Sequence, residues 1–312
     1  MFIGYCARVG NEPDGQGSTA SPTGNPLARV TRLTESGVRA LLSAQGVRGT
    51  AMEAAWITTH LAMYPLGLVR ESTLRGVERH RLDHLPPEQR GLLAGDIEAA
   101  GTPIVLVHGL VDNRSIFAVL SRALTRRGFH RVLSLNHSPL TGDIRSAAAS
   151  LGAVIDQVCE QTGYDRVHVV GHSMGGLIAR YYVQRLGGDS QVHTLVTLGS
   201  PHAGTMPASL VPVKVVRQLR PGSDVVTELA EPAPDCRTRM VAVWSDLDQM
   251  IVPQRNARIT HPDLRSRNVL VRGVGHMSLP VDGRVVHEIC MTLAHLEHDG
   301  SAIRDYRRST GA

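Results

Sequence analysis

A serine with a glycine two positions away on each side is the first feature of the sequence that could do chemistry. Residues 171–175 are Gly-His-Ser-Met-Gly, which places Ser173 between Gly171 and Gly175. An apolar run precedes this motif and a helical pattern follows it, as in a sharp strand-to-helix turn that presents a nucleophile. Side chains at the two glycine positions would clash in such a turn. The motif therefore predicts that the Ser173 hydroxyl lies at the edge of a sheet and acts as a nucleophile.

A serine hydroxyl needs a base that removes its proton and an acid that holds the base. Fifteen histidines compete for the role of base. His276 is favoured because residues 273–276 lie between the last predicted strand and the last predicted helix. His172 is next to the serine in sequence, and the turn leaves it no room to face the hydroxyl. The sequence thus predicts His276 as the base.

Two carboxylates follow the preceding predicted strand and compete for the role of acid. They are Asp246 and Asp248, and the stretch Ile-Val-Pro at residues 251–253 begins three positions after Asp248. This apolar stretch would return the chain to the core behind Asp248, which favours Asp248 as the acid. Asp246 is then interpreted as a turn former and stays open as the alternative.

Short apolar runs alternate with helical patterns from residue 102 onwards. The predicted strands are residues 103–108, 131–135, 166–170, 193–198, 240–244 and 268–272, and the predicted helices are residues 116–127, 144–161, 174–186 and 285–295. Such alternation is typical of a parallel sheet with flanking helices. Reactive residues of such sheets lie at the carboxyl ends of the strands, where all three candidate side chains are found.

Residues 102–296 resemble the lipase and esterase branch of the α/β-hydrolase superfamily, and the bacterial triacylglycerol lipases in particular. Four segments carry the resemblance: Val-His-Gly-Leu at 107–110, Gly-His-Ser-Met-Gly-Gly at 171–176, Thr-Leu-Gly-Ser-Pro-His-Ala-Gly at 197–204, and Gly-Val-Gly-His at 273–276. The order serine, aspartate, histidine is also that of the superfamily's catalytic triad. The resemblance implies an α/β-hydrolase fold, with a mostly parallel central sheet, flanking helices and a lid or cap segment.

The same resemblance implies two backbone N–H donors that would stabilise an oxyanion. One belongs to Met174, the residue after the nucleophile, and the other to Leu110. A single glycine, Gly109, precedes Leu110, whereas many short-chain esterases have three. By family analogy this difference favours esters of medium or long acyl chains.

The function predicted from these residues is hydrolysis of carboxylic esters of lipid-like molecules through an acyl-enzyme intermediate on Ser173. Two alternatives stay open. The first is an acyltransferase that uses the same triad with an alcohol acceptor, because the sequence does not distinguish water from alcohol. The second is a non-catalytic binding protein with the same fold. A peripheral contact with lipid surfaces is compatible with the predicted substrate.

Composition changes along the chain predict its organisation. Residues 1–27 are rich in Gly, Pro, Ser and Asn and are expected to be disordered, residues 28–100 to be helical, residues 101–300 to form the catalytic domain, and residues 301–312 to be a basic tail. Residues 205–236 mix apolar side chains with Pro and Gly, which favours a lid. A fixed crossover connection is the alternative.

The remaining sequence features favour neither a cofactor nor nucleic acid. The 33 basic and 28 acidic residues form no basic stripe, and the four cysteines have no metal-ligand spacing, so free thiols are expected, with one disulfide as the alternative. The chain start lacks the pattern of a signal peptide, and the most apolar stretch, residues 51–69, is too diluted to span a membrane. A cytoplasmic or peripherally membrane-associated protein is expected, with no prediction of its oligomeric state.

Overall fold

The computed structural model describes residues 101–110, 114–129, 131–135 and 142–294. The predicted disordered segment 1–27, the predicted helical region 28–100 and the predicted basic tail 301–312 lie outside these residues.

Six strands in the described ranges form a single all-parallel sheet. They are β1 (Ile104–Val107), β2 (Val132–Leu135), β3 (Val167–His172), β4 (Val192–Leu198), β5 (Arg239–Trp244) and β6 (Ser266–Leu270), in the spatial order β2-β1-β3-β4-β5-β6. All residues of β1 and β3 are buried, which explains the continuous apolar sequence of β1, whereas β3 also buries His168 and His172. The predicted parallel sheet is confirmed, and the observed strand ends differ from the predicted ones by two residues or fewer.

Four longer helices and two short ones flank this sheet. They are α1 (Ala118–Arg126), α2 (Ile144–Thr162), α3 (Met174–Arg185), the short α4 (Lys214–Arg217) and α5 (Asp224–Glu228), and α6 (Gly283–Leu293). Helix α2 begins where the Asp143 carboxylate accepts a hydrogen bond from the Arg145 N–H, and it ends at Gly163, whose φ is +70°. Both signals are standard helix boundaries because they satisfy backbone groups that the helix itself leaves unpaired.

Two apolar layers cover the two faces of the sheet. Helices α2 and α3 pack against one face together with the buried residues of the 215–229 region. Helices α1 and α6 pack against the other face. Successive residues of β1 alternate between the layers, since Val105 contacts the first and Ile104 the second. The sheet is therefore a central layer with helices on both sides.

The topology brings the candidate site residues to one edge. Strands β3, β4, β5 and β6 are consecutive neighbours in the sheet and run in the same direction. Ser173 follows β3, residues 199–205 follow β4, Asp248 lies in the loop after β5, and His276 lies in the loop after β6. Because carboxyl ends of parallel strands meet at the same edge, these four loops form one side of the molecule.

Candidate active site

Ser173 lies in a strained turn that two glycines make possible. Its φ is +54° and its ψ is −126°, and it is the only non-glycine residue with positive φ in the described part of the chain. Such a backbone conformation costs about 1–3 kcal/mol, which the surrounding structure must offset. A Cβ atom at Gly171 would lie 2.4 Å from Gly176 Cα, and one at Gly175 would lie 2.2 Å from the Val107 carbonyl oxygen. The glycines therefore let helix α3 begin tightly against β3 and β1.

Asp248 and His276 form a buried pair. The Asp248 Oδ2 atom lies 2.8 Å from His276 Nδ1, and the residues are 1% and 2% exposed. The other carboxylate oxygen, Oδ1, accepts hydrogen bonds from the N–H groups of Met250 and Ile251, each at 2.9 Å. Because Nδ1 donates its proton to the carboxylate, Nε2 is the ring nitrogen that carries a lone pair. This arrangement allows His276 to accept a proton at Nε2.

His172 holds the His276 backbone beside the turn that carries Ser173. The His172 Nε2 atom donates to the His276 carbonyl oxygen at 3.1 Å, and the two ring centroids are 4.8 Å apart. His172 immediately precedes Ser173, so this contact joins the histidine loop to the turn. The structure thus brings Asp248 and His276 into contact. It also holds His276 next to His172, the residue that precedes Ser173.

Asp246, the alternative acid, has different partners. Its Oδ1 atom accepts a hydrogen bond from the Gly273 N–H at 2.8 Å, and its Oδ2 atom lies 3.5 Å from Arg272 Nη1. Asp246 therefore contacts the start of the loop that carries His276, whereas Asp248 contacts the imidazole ring itself.

The two predicted oxyanion donors lie at the same end of the sheet. Met174 is the first residue of α3, so its N–H belongs to the group that finds no partner within the helix. Leu110 is half-buried and packs against the apolar layer that includes Met174. The close approach of Gly175 to the carbonyl oxygens of Val107 and His108 shows that the end of β1 touches the start of α3.

Gly199 lies against the candidate site, and the sequence reasoning gave it no role. Its φ is +54°, and a Cβ atom there would lie 2.8 Å from Asp248 Oδ2 and 3.1 Å from His276 Nδ1. Glycine therefore leaves room for the buried pair. The available signal was the Thr-Leu-Gly-Ser-Pro-His-Ala-Gly segment, in which Gly199 follows β4.

His202 is a second buried histidine at this edge, and its surroundings keep it neutral. Its Nε2 atom lies 2.9 Å from Thr197 Oγ1. Burial lowers the pKa of the His202 imidazole well below its ordinary value, and the charge of Arg180 lowers that pKa further. His202 is thus a buried group whose lowered pKa favours the neutral form.

The segment predicted to be a lid, residues 205–236, divides into two parts. The first part, residues 206–213, is here called the exposed apolar segment, because Met206 is 55%, Leu210 86% and Val213 52% exposed. Arg220 contacts its backbone, donating from Nε to Ala208 O at 3.0 Å and from Nη2 to Ser209 O at 3.4 Å and to Val211 O at 3.2 Å.

The second part is fixed to helices α2 and α3. Val215, Val216 and Leu219 are buried in the apolar layer next to those helices. Glu228 of α5 accepts two hydrogen bonds from Arg145, at the start of α2, and one of 2.6 Å from the Tyr181 hydroxyl of α3. This half of the segment has the contacts of a fixed connection.

The backbone before the exposed part meets the backbone of the anchored part that follows it. The Thr205 N–H donates to Leu219 O at 2.7 Å, and a Cβ atom at Gly204 would lie 2.4 Å from Pro221 N. Thr205 also contacts the loop that carries Asp248, since its hydroxyl donates to Met250 O at 2.8 Å and accepts from the Val252 N–H at 2.9 Å. Residues 205–220 therefore leave and re-enter the fold at nearly one point.

Within the described ranges, no cluster of three or more His, Cys, Asp or Glu side chains could hold a metal ion. The cysteines found there, Cys159, Cys236 and Cys290, are free thiols. Burial raises the pKa of all three, for Cys236 to about 11, so these thiols are protonated near neutral pH. No helix of the described residues has the length and apolar character needed to cross a membrane.

The fold and the family comparison agree on the class of protein. A family model described as the alpha/beta hydrolase fold matches residues 102–220. That range contains β1 to β4, the turn with Ser173 and the loop after β4. Together with the all-parallel sheet and its flanking helices, the match shows that these residues have the α/β-hydrolase fold.

Two proteins that are similar in sequence to parts of this chain are lipases. The sn-1-specific diacylglycerol lipase ABHD11 of Xenopus laevis is 34% identical over 87 residues, which are 27% of this chain and 28% of that protein. A triacylglycerol lipase of Burkholderia plantarii is 31% identical over 128 residues, which are 38% of this chain and 35% of that protein. The aligned parts thus span about a third of these relatives or less.

Solved structures of lipases share the fold at low sequence identity. The mature Bacillus licheniformis lipase BlEst2 superposes with a TM-score of 0.53 at 18% identity, over 62% of this chain and 92% of that one. Aspergillus fumigatus lipase B superposes with a TM-score of 0.55 at 15% identity, over 62% of this chain and 52% of that one. At such identities the likeness shows the fold alone.

Proposed function

We propose that this protein is a serine hydrolase that cleaves carboxylic esters through an acyl-enzyme intermediate on Ser173. One observation carries the proposal: the buried Asp248–His276 pair is held next to the strained turn of Ser173. A nucleophile, a base that can accept a proton at Nε2 and an acid that fixes the tautomer of this base are the parts that acyl transfer requires.

In the first half of the reaction, Ser173 Oγ attacks the ester carbonyl carbon and its proton passes to His276 Nε2. Asp248 stabilises the resulting imidazolium through the hydrogen bond to Nδ1. The imidazolium then gives its proton to the leaving alcohol as the C–O bond breaks, and the acyl group stays on Ser173. In the second half, water attacks this acyl group and His276 takes a proton from the water. The bond between the acyl carbon and Ser173 Oγ then breaks, His276 returns the proton to Oγ, and the carboxylic acid is released.

The N–H groups of Met174 and Leu110 donate hydrogen bonds to the carbonyl oxygen as it becomes an oxyanion. Loss of one such donor costs about 2.7–4 kcal/mol of transition-state stabilisation in a well-studied protease. The position of Met174 at the start of α3 supports its role. The contact between the end of β1 and the start of α3 supports the role of Leu110.

The proposed substrate is a lipid-like ester with a medium or long acyl chain. The names of the similar lipases support this class of substrate. So does the exposed apolar segment 206–213, which joins the loop carrying Asp248 through the Thr205 hydroxyl. We assign the role of lid to this segment alone, because residues 215–229 are anchored to α2 and α3.

A fluorophosphonate probe and p-nitrophenyl esters of graded chain length test this function. We expect the probe to label Ser173, and Ser173→Ala or His276→Ala to lower kcat by about 10⁴- to 10⁶-fold, as in other triad enzymes. If Ser173→Ala keeps more than a tenth of the activity, another nucleophile is at work. Ester products formed when an alcohol is added would indicate acyl transfer. A folded chain that is neither labelled nor active would be a binding protein instead.

A further inference from the structure

Two side chains continue the connection between β5 and β6 beyond the end of the sheet. The backbone ladder of these strands ends at the pair Trp244 and Leu270, followed by the hydrogen bond from Val271 N to Trp244 O at 2.9 Å. Past this point the segments that follow the two strands diverge. The segment after β5 leads to Asp248, and the segment after β6 leads to His276.

In the divergent region, side-chain oxygens replace the backbone acceptors of the sheet. Asp246 Oδ1 accepts from the Gly273 N–H at 2.8 Å, and Ser245 Oγ accepts from the Val274 N–H at 3.3 Å. Ser245 Oγ also accepts from the Leu247 N–H at 3.1 Å, within its own loop. Consecutive residues of one loop thus hold consecutive residues of the other, and Ser245 is buried.

This contact fixes the geometry on which the Asp248–His276 pair depends. Gly273 turns the chain with a φ of +71°. His276 follows the two held residues closely, three positions after Gly273 and two after Val274. A shift of about 1 Å in a reacting group can lower the rate by about 100-fold, so a fixed loop matters for catalysis. Asp246 itself contacts the backbone at the loop start, and no bond of the reaction involves it.

We propose that Asp246 and Ser245 are positioning residues that hold the loop of His276 in place for the reaction. This inference rests on the proposed ester hydrolysis. It assigns a role to the second carboxylate of the Ser-Asp-Leu-Asp sequence, which would otherwise serve only as a turn former.

The test compares Asp246→Ala, which removes the acceptor, with Asp246→Asn, which keeps an oxygen that can accept from the Gly273 N–H. We expect Asp246→Ala to lower kcat on a soluble p-nitrophenyl ester by about 10- to 100-fold, with KM changed by less than about threefold. Asp246→Asn should recover most of that loss. Ser245→Ala should also lower kcat, and it provides a second variant that leaves the carboxylate intact.

Asp263→Ala is the matched control. Asp263 accepts one hydrogen bond of 2.8 Å from the Ala233 N–H, so it makes the same kind of contact before the start of β6, at the opposite edge of the sheet. We expect this control to keep wild-type kcat. An equal loss of kcat in the control would overturn the proposal, because general destabilisation would then explain the effect. So would equal losses in Asp246→Ala and Asp246→Asn, or an active Asp246→Ala variant with at least half of the wild-type kcat.

Hydrogen exchange separates the failure of this inference from the failure of the proposed function. Peptides that cover residues 271–279 should exchange faster in Asp246→Ala than in wild type, while those of Asp246→Asn should resemble wild type. An inactive wild-type protein would refute the ester hydrolysis. In that case the exchange rates of the Asp246 variants would still test whether Asp246 holds the loop of His276. Unchanged exchange in Asp246→Ala would refute the contact even if the wild type is active.

Discussion

At the scale of single residues, the two aspartates in the loop after β5 divide two tasks. Asp248 is fully buried, binds the His276 imidazole and receives two backbone N–H groups on its other oxygen. Asp246 is partly exposed and binds the backbone of the neighbouring loop. Two aspartates only two positions apart therefore have different partners. Asp248 binds the imidazole ring, and Asp246 binds the backbone of the loop that carries this ring.

The corresponding prediction ranks two conservative variants. Asp248→Asn should leave the fold intact but place the proton on the wrong nitrogen of His276, and kcat should fall by about 10³- to 10⁴-fold. Asp246→Asn should cost about tenfold or less. Steady-state kinetics on a soluble ester measure both values. The reverse ranking would make Asp246 the acid of the site.

Gly199 supports a second prediction at this scale. Gly199→Ala places a methyl group 2.8 Å from Asp248 Oδ2 and 3.1 Å from His276 Nδ1 in a backbone conformation that alanine disfavours. We expect kcat to fall by about 10-fold or more. The control is Gly187→Ala, since Gly187 has a φ of +77° with open space around it. Gly187→Ala should lose about 1 kcal/mol of stability and no activity. Equal losses of activity in both variants would contradict the conclusion that Gly199 is needed to leave room for the Asp248–His276 pair.

At the scale of secondary-structure elements, helix α5 is held in place by contacts with α2 and α3. These contacts distinguish the anchored residues 215–229 from the exposed apolar segment 206–213. Glu228 binds both Arg145 of α2 and Tyr181 of α3, and the Leu229 carbonyl oxygen accepts from Arg180 Nη2 at 2.9 Å. The hydrogen bond from Arg145 holds the pKa of the Glu228 carboxyl below its ordinary value. A lowered pKa means that the folded state favours the ionised carboxyl, so this stabilisation exists above the unfolded-state pKa and disappears as pH falls through the folded-state pKa.

The variant Glu228→Gln tests this anchor. It removes the charge, so we expect a loss of about 1 kcal/mol at neutral pH, discounted for the partial exposure of the pair, and a weaker acid dependence of stability. Urea unfolding at neutral and acidic pH measures both effects. Glu231→Gln is the control, because Glu231 lies 3.8 Å from Arg185 and is mostly exposed. A larger effect at Glu231 would contradict the assigned role of Glu228.

The sequence predicted the elements whose signals are local and continuous. Strand β3 is buried on both faces and reads as an apolar run, and the Gly-x-Ser-x-Gly spacing predicts the turn after it. The structure bears out the predicted parallel sheet. Helices α4 and α5 were not predicted, since four or five residues are too few for a helical period.

Other features depend on contacts between distant parts of the chain. The need for glycine at position 199 arises from Asp248 and His276, which are 49 and 77 positions away. The division of residues 205–236 depends on Arg145 and Tyr181, which belong to other helices. Neither composition nor periodicity of the local sequence contains these partners, so the sequence predicted a single lid where the structure has an exposed part and an anchored part.

At the scale of the whole molecule, apolar side chains cluster on the side that carries the candidate site. Met206, Leu210, Val211 and Val213 are exposed there, and so is Met250 of the loop that carries Asp248. The hydrogen bond from Met206 N to Val252 O at 2.9 Å joins the two groups. A lipid surface would remove these side chains from water, with a gain of about 1.5–3 kcal/mol for each large side chain that becomes fully buried.

The prediction is that activity on a long-chain ester rises steeply once the substrate exceeds its solubility limit. Replacing both Leu210 and Val213 with serine should blunt this rise and leave the hydrolysis of a short soluble ester intact. Val216→Ser is the matched control, because Val216 is 8% exposed and belongs to the anchored part. It should lower stability while the rise persists. Simple saturation of the wild type through the solubility limit would favour a fixed crossover connection over a lid.

The closeness of the two ends of residues 205–220 also bears on how this protein could diversify. Thr205 N binds Leu219 O, and Gly204 abuts Pro221, so the segment is a loop on a closed stem. Doubling the length of such a loop costs only about 0.6 kcal/mol in closure entropy. The segment can therefore be exchanged as one cassette, by recombination in evolution or by grafting in the laboratory, provided that the buried Val215, Val216 and Leu219 are kept. New acyl-chain preferences could arise in this way while the sheet, the Ser173 turn and the Asp248–His276 pair keep their geometry.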